Sequence, residues 1–353
     1  MKKSSAPDHW LADEIPSAPA IGHRVVTRVP RPARNMRPPR PVRKNGPRLV
    51  LALHGADRPT PSLRRALAIA RSLEGELHLL RVLPGLTRLQ ALFSPNDVLN
   101  AARSVQRTLR ANRVTRSWLR VSVGSDDAVE RLSISHGDFV QQVAVYAASV
   151  DAHMIIIAPL QRRLGRTATI LARAAQKPVF VAREQAGTPA ILAATDLRTI
   201  GHPVLWKAAE LGQRLHSKLV TLHNVDAVGV SAPAPAVLEA GAMAFGAAAW
   251  SAVQGSSLRD ARLEQLTAAT ARLPLEARAM VLSEADTARA ILAQASTLDS
   301  DCVVVGSRRQ SWLEGLACGS VAADVVDGAQ RSVLIVPLDA TVAAPMSAVD
   351  AGG

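Results

Sequence analysis

Between Cys302 and Val326 the chain reads CVVVGSRRQSWLEGLACGSVAADVV, and the residue types there suit the binding of an anion. Gly306 follows three valines, Arg308 and Arg309 come next, and Gly319 and Ser320 head a segment with helical periodicity. Glycine lets backbone come close to a ligand, N–H groups at a helix N-terminus attract negative charge, and arginine suits phosphate in charge and bidentate geometry. The chemistry implied is the cradling of phosphate. Ser320 would serve as an N-cap with or without a ligand. Far upstream, the apolar run AILAATD places the carboxylate of Asp196 at the end of a strand-like segment.

These residues need elements to bring them together. Strand patterns at Ala190–Asp196, Lys218–Val225, Arg278–Leu282, Val303–Val305 and Ser332–Pro337 alternate with helix patterns at Pro203–His216 and Thr287–Leu298. Such alternation implies parallel βαβ units and a doubly wound sheet, with ligands bound beyond the carboxyl ends of the strands. The preceding half of the chain runs in the same order. Strands are expected at Arg48–Leu53, Glu76–Leu83, Trp118–Val123, His153–Ile157 and Pro178–Ala182, with helices at Ser62–Leu73, around Pro95–Asn112 and at Asp138–Ser149. Asp151-Ala152-His153 followed by MIIIAP matches Asp299-Ser300-Asp301 followed by CVVVGS, and Lys177-Pro178-Val179-Phe180-Val181 matches Arg331-Ser332-Val333-Leu334-Ile335. The chain reads as an internal duplication.

The spacing of Gly306, Arg309, Gly319 and Ser320 resembles the G-x2-G-x9-G-[ST] signature of the universal stress protein family, with Arg309 standing where the family has its second glycine. In that family the signature holds the phosphates and ribose of ATP. The resemblance covers Arg48 to Pro337 and implies a fold of two tandem doubly wound parallel-sheet domains, Rossmann-like and related to the adenine nucleotide alpha hydrolases. It puts the first and fourth strands of each domain side by side. It also assigns Asp196, Asn224, Val305, Gly306, Arg308, Arg309, Gly319, Ser320 and Val321 to an adenine nucleotide, ATP with Mg as its companion. Arg309 either blocks the approach of phosphate or alters the ligand chosen, and Arg308 either faces phosphate or is solvated. Asn224 replaces an apolar contact in the family's strand-two motif, here Leu222-His223-Asn224. The family further implies a cytoplasmic stress-response protein acting through a nucleotide or a protein partner, including a second copy of itself.

The first half lacks these features. Gly55 stands in the place of Asp196 and Ala158 in the place of Gly306. Thirteen steps separate Gly306 from Gly319, but seven separate Ala158 from Gly165, so the loop is too short to wrap a triphosphate in the same way. A structural, degenerate half is expected. Arg162, Arg163 and Arg166 form either a solvated basic turn or a residual anion contact.

Composition bounds the rest. A chain of 353 residues, 48% hydrophobic and 3% aromatic, has room for two alanine-, leucine- and valine-packed cores. Much of the net charge of +13 comes from residues 1–47, where arginine and lysine are interleaved with prolines from Pro30 to Pro47. That stretch is expected to be a disordered basic tail, either solvated or a sequence-independent arm for nucleic acid or an acidic surface. No aromatic interleaving among its arginines supports base stacking. Met1-Lys2-Lys3 is followed by polar residues, not the apolar core of a secretory signal.

The expected organisation is therefore a tail over 1–47, domains over 48–184 and 188–338, and a disordered tail over 339–353. Two cysteines, Cys302 and Cys318, lack the spacing of a zinc site or a disulfide framework. His54, His136, His153, His202, His216 and His223 show no ligand spacing, and Ser133, Ser135 and His136 do not make a nucleophile elbow. Slow nucleotide hydrolysis stays only as an alternative, since no base is paired with a nucleophile. The apolar stretch Pro233–Val253 reads as a packed or partner-covered helix, a peripheral membrane contact or, least in keeping with its prolines, glycines and Glu239, a span.

Overall fold

The computed structural model describes residues 25–29, 46–54, 61–84, 106–117, 132–158, 164–184, 186–225, 243–308 and 321–338. The strands are β1 (Val25–Val29), β2 (Arg48–His54), β3 (Glu76–Leu83), β4 (Leu132–His136), β5 (Met154–Ile157), β6 (Val179–Val181), β7 (Thr188–Ala194), β8 (Lys218–Asn224), β9 (Ala277–Leu282), β10 (Ser300–Ser307) and β11 (Ser332–Pro337). The helices are α1 (Pro61–Ser72), α2 (106–117), α3 (Phe139–Ser149), α4 (Gly165–Ala175), α5 (Pro203–Leu215), α6 (Met243–Ala271), α7 (Thr287–Thr297) and α8 (Val321–Gly328).

All the strands join one 11-stranded sheet in the order β1-β9-β8-β7-β10-β11-β6-β5-β2-β3-β4. Within each half the core strands run parallel, and the two halves meet where β6 and β11 pair antiparallel. Read from the outer strand inwards, β4-β3-β2-β5-β6 and β9-β8-β7-β10-β11 are the same arrangement. The first and fourth strands of each half, β2 with β5 and β7 with β10, are neighbours, as the doubly wound fold requires.

Central strands buried on both faces read as continuous apolar runs, and alternate side chains serve alternate faces. In β10, Val303 and Val305 join one core layer while Cys302 and Val304 join the other. Each layer draws on both halves: Leu51, Phe180, Ile191 and Leu334 share one, and Val50, Val179, Leu192 and Val333 the other.

Two departures from expectation concern strands. Val25–Val29, inside the stretch expected to be disordered throughout, pairs antiparallel with β9 from Val25↔Val281 to Val29↔Ala277. Its three valines favour extended backbone, and the outer edge of β9 offers unpaired N–H and C=O groups. The strand expected at Trp118–Val123 lies outside the described residues, and the place beside β3 is taken by Leu132–His136. Its sequence LSISH is only partly buried, as suits an edge, so serines alternate with the apolar residues and dilute the strand signal. Helix α2 is described over 106–117, overlapping the region expected around Pro95–Asn112 and running on to 117, and residues 95–105 lie outside the described residues. Helix α6 starts at Met243, and the remainder of the apolar stretch from Pro233 is outside the described residues. Among the described residues no helix is long and apolar enough to cross a membrane.

Candidate functional site

At the carboxyl ends of β7 and β10, Val305 is registered with Ala194, so Gly306, still within β10 and paired with Val336, lies beside the residues that lead from β7 to Asp196. Asp196 lies two residues past β7. One of its carboxylate oxygens accepts the Arg198 N–H at 3.0 Å, a local turn that fixes the side chain. The other accepts from Arg308 Nη2 at 2.6 Å. The same nitrogen donates to Thr199 Oγ1 at 2.8 Å. Both partners of the ion pair keep 42% of their side-chain surface exposed, so water competes for each charge and the pair is weak in stability. It can be exchanged for a better anion.

Gly306 needs no left-handed torsion to explain it. A Cβ there would lie 2.8 Å from Leu338 Cδ1, the movable end of a side chain, so packing alone tolerates a small residue. Ser307, the last residue of β10, is buried and its hydroxyl accepts from Arg173 Nε at 2.9 Å. Val305 is buried in the sheet and presents only backbone to the crevice. Val321 opens α8 and is exposed. Arg309, Gly319, Ser320 and Cys318 lie outside the described residues.

Asn224 ends β8, next to β7, and its carboxamide is committed. Its Nδ2 donates to Glu284 O and Thr287 Oγ1, each at 2.8 Å, and its Oδ1 accepts the Glu284 N–H at 3.0 Å. This ties the β9–α7 connection to β8. His223, one residue earlier, is buried, with Nδ1 at 2.8 Å from Thr195 O. The neutral ring donates that bond. Burial is the main cause that lowers its pKa, and the Thr195 bond works against it.

His202 caps α5 in the left-handed region at φ 46° and its N–H bonds Thr199 O at 3.2 Å. Burial lowers its pKa first and Arg272 second, while Asp196 raises it. Sequence reasoning passed over Thr199, Ser307 and Arg173. A hydroxyl three residues past Asp196 is a local signal for Thr199, but Arg173 is 134 residues from Ser307 and has none.

In the first half, Ala158 and Gly165 stand at the equivalent places and Arg166 is exposed. Arg162, Arg163 and Gly55 lie outside the described residues. Among the described residues no group of three or more His, Cys, Asp or Glu side chains is placed to hold a metal ion. The serines of β4 are used locally: Ser133 Oγ donates to Tyr146 Oη at 3.1 Å and Ser135 Oγ bonds Gln142 Oε1.

The sequence was compared with known proteins. No curated protein matches it. Among solved structures, a universal stress protein from Archaeoglobus fulgidus DSM 4304 superposes with a TM-score of 0.54 at 14% identity, over 83% of this chain and 97% of that one. A functionally unknown protein from Pseudomonas aeruginosa PAO1 gives 0.49 at 16% identity, over 83% and 93%. A universal stress protein family protein from Arabidopsis thaliana with AMP bound gives 0.25 at 15% identity, over 40% and 93%. At 14% identity the Archaeoglobus fulgidus structure shows a likeness of fold alone. A family model described as the universal stress protein family matches residues 188–337, the segment that contains Asp196, Gly306 and Arg308. Over residues 188–337, then, this chain matches the universal stress protein family.

Proposed function

We propose that the protein is a stress-response regulator that binds an adenine nucleotide, ATP foremost, in the crevice between β7 and β10, and that occupancy acts as a conformational or association switch. The observation that carries this reading is the Asp196–Arg308 pair at the switch point of a universal stress protein domain. A carboxylate suits ribose hydroxyls, a guanidinium suits phosphate, and Gly306 leaves the backbone approachable. Binding would part the two, Arg308 turning to phosphate and Asp196 to sugar. Arg309, Gly319, Ser320 and Val321 would complete the phosphate end and Val305 the backbone floor, while Asn224 would act by holding the rim. A Mg ion would arrive on the phosphates, since the crevice offers it one carboxylate, Asp196.

The same reading gives the chain two tandem domains, over 48–184 and 188–338, the first without a nucleotide site, and a cytoplasmic place of action. The basic stretch before Arg48 would serve as an arm for an acidic partner or nucleic acid. A switch of this kind requires the nucleotide to favour one conformation or association state over another.

A second reading, a nucleotide-free interaction module, is favoured by the two internal bonds that Arg308 already makes. The test is calorimetric titration of ATP into nucleotide-stripped protein, with Asp196→Ala and Arg309→Gly in parallel. Binding that weakens about tenfold or more in Asp196→Ala, as loss of a hydrogen bond to a charged group gives, supports the regulator. Absence of binding in the parent with recovery in Arg309→Gly supports the module.

A further inference from the structure

The two halves are related by a local two-fold at the β6–β11 seam, where Phe180 pairs with its own counterpart Leu334. The offset of 154 residues that carries Phe180 onto Leu334 also carries Arg173, in the last turn of α4, onto Asp327, in α8. Helices α4 and α8 face each other across the seam so closely that a Cβ on Gly165 would lie 2.0 Å from Ala323 O. Each helix therefore projects one charged residue into the territory of the other half. The two charges are opposite.

Asp327 reaches the first half. Its Oδ1 accepts the N–H groups of Leu164 and Gly165, both at 2.7 Å, at the start of α4. A carboxylate thus already sits on the donors that an incoming phosphate would need there. Arg173 reaches the second half. Its Nε is held by the Ser307 hydroxyl, between Gly306 and Arg308, and its two terminal nitrogens make no hydrogen bond among the described residues. No carboxylate among the described residues pairs with it either. A guanidinium held by a neutral hydroxyl beside a second arginine lacks a counter-charge, and the ligand that would supply one is an anion.

We propose that Arg173 of the N-terminal half is a ligand-positioning residue of the C-terminal site, contacting the phosphate end of the bound nucleotide, while Asp327 seals the corresponding place in the N-terminal half. The duplication thereby makes one site out of two. The first half keeps a function, supplying a cation in cis to its neighbour. This rests on the nucleotide reading above, and the probes separate the two.

The full-length protein, stripped of nucleotide, is titrated with ATP, adenosine and inorganic tripolyphosphate, as parent, Arg173→Gln and Arg173→Lys, with thermal melts as a check on folding. Arg173→Gln is expected to weaken ATP and tripolyphosphate about tenfold or more, in keeping with one charge-assisted hydrogen bond, and to leave adenosine unchanged. Arg173→Lys is expected to recover part of the loss. A structural role alone would lower the melting temperature or shift all three probes together. Equal ATP affinity in parent and Arg173→Gln overturns the role of Arg173 and leaves the nucleotide reading standing. Tripolyphosphate binding that depends on Arg173, with no binding of ATP or adenosine, rejects the nucleotide and keeps the anion contact. Failure of every probe on the parent overturns both.

Discussion

Arg308 joins Asp196 and Thr199 through a single nitrogen, and so much depends on so exposed a contact that its removal separates binding from stability. Arg308→Gln is expected to change unfolding free energy by no more than about 1 kcal/mol, because exposed ion pairs contribute little, while ATP affinity falls. Urea denaturation beside titration checks both. The buried imidazole of His223 gives a pH dependence whose sign follows from burial. Its folded pKa lies below the ordinary 6.5, so between the two values the unfolded chain binds more protons. The stability it contributes is full above the unfolded value and lost as pH falls through the folded one. The urea midpoint is expected to drop from pH 7.5 to pH 5, and His223→Gln to flatten the part of that drop due to this ring; an unchanged slope would assign the drop elsewhere. His202 and His153, lowered mainly by burial, act in the same window. Gly306 was read from the glycine spacing, Asp196 from the end of its apolar strand and Arg308 from the family resemblance, and the structure places the three together at the carboxyl ends of β7 and β10. Asn224 was read from the strand-two motif Leu222-His223-Asn224, but a carboxamide can bond whatever faces it, and only the fold reveals that Glu284 does. Arg173 was invisible because a contact across 134 residues leaves no periodic mark.

At the scale of elements, strands buried on both faces were the easiest to read, since MIII and CVVVGS carry an apolar run that no helix period breaks. The helix starts at Asp138 and Asp286 were legible for a local reason: each carboxylate accepts an N–H three residues on, from Gln141 at 2.9 Å and from Arg289 at 3.0 Å. Edge strands were not legible. Strand β4 mixes serine with apolar residues because one side is open, and β1 borrows its order from β9, a partner about 250 residues away that sequence pattern alone cannot supply. The pairing of α4 with α8 is another such long-range fact, and it makes Gly165 intolerant of a methyl group. The obstacle is backbone, Ala323 O at 2.0 Å from the added Cβ, so one helix must move. Gly165→Ala is expected to cost about 1–3 kcal/mol by overpacking, outweighing the gain in helix propensity of about 1 kcal/mol. A urea midpoint that stayed level or rose would show that the two helices are less closely docked.

Over the whole molecule, the antiparallel pairing of β6 with β11 turns two five-stranded parallel units into one sheet and spreads each core layer across both. Contacts beyond the strands cross the same seam. Arg65 of α1 pairs with Asp301 of β10, Arg214 Nη1 donates to Leu73 O at 3.2 Å, and Arg183 Nη2 donates to Val326 O at 2.6 Å. Coupling of this extent should make the halves unfold together, although each has its own βαβ topology. Phe180 tests it, because it is fully buried, sits on the last strand of the first half and faces Leu334 across the seam. Phe180→Ala removes a large buried ring, with an expected cost of about 3–5 kcal/mol. Native-state hydrogen exchange then reports on the halves separately, through amides of β3 such as Leu80 and amides of β8 such as Val220. If the sheet is one cooperative unit, the slowest-exchanging amides of both strands lose protection by the same amount. Loss confined to β3 would mean that the second half holds its own stability and that the seam joins two independent bodies. In that case the placement of Arg173 beside Ser307 would depend on docking, and nucleotide affinity should fall at urea concentrations that leave the second half folded. In a single cooperative sheet, affinity and structure would be lost together.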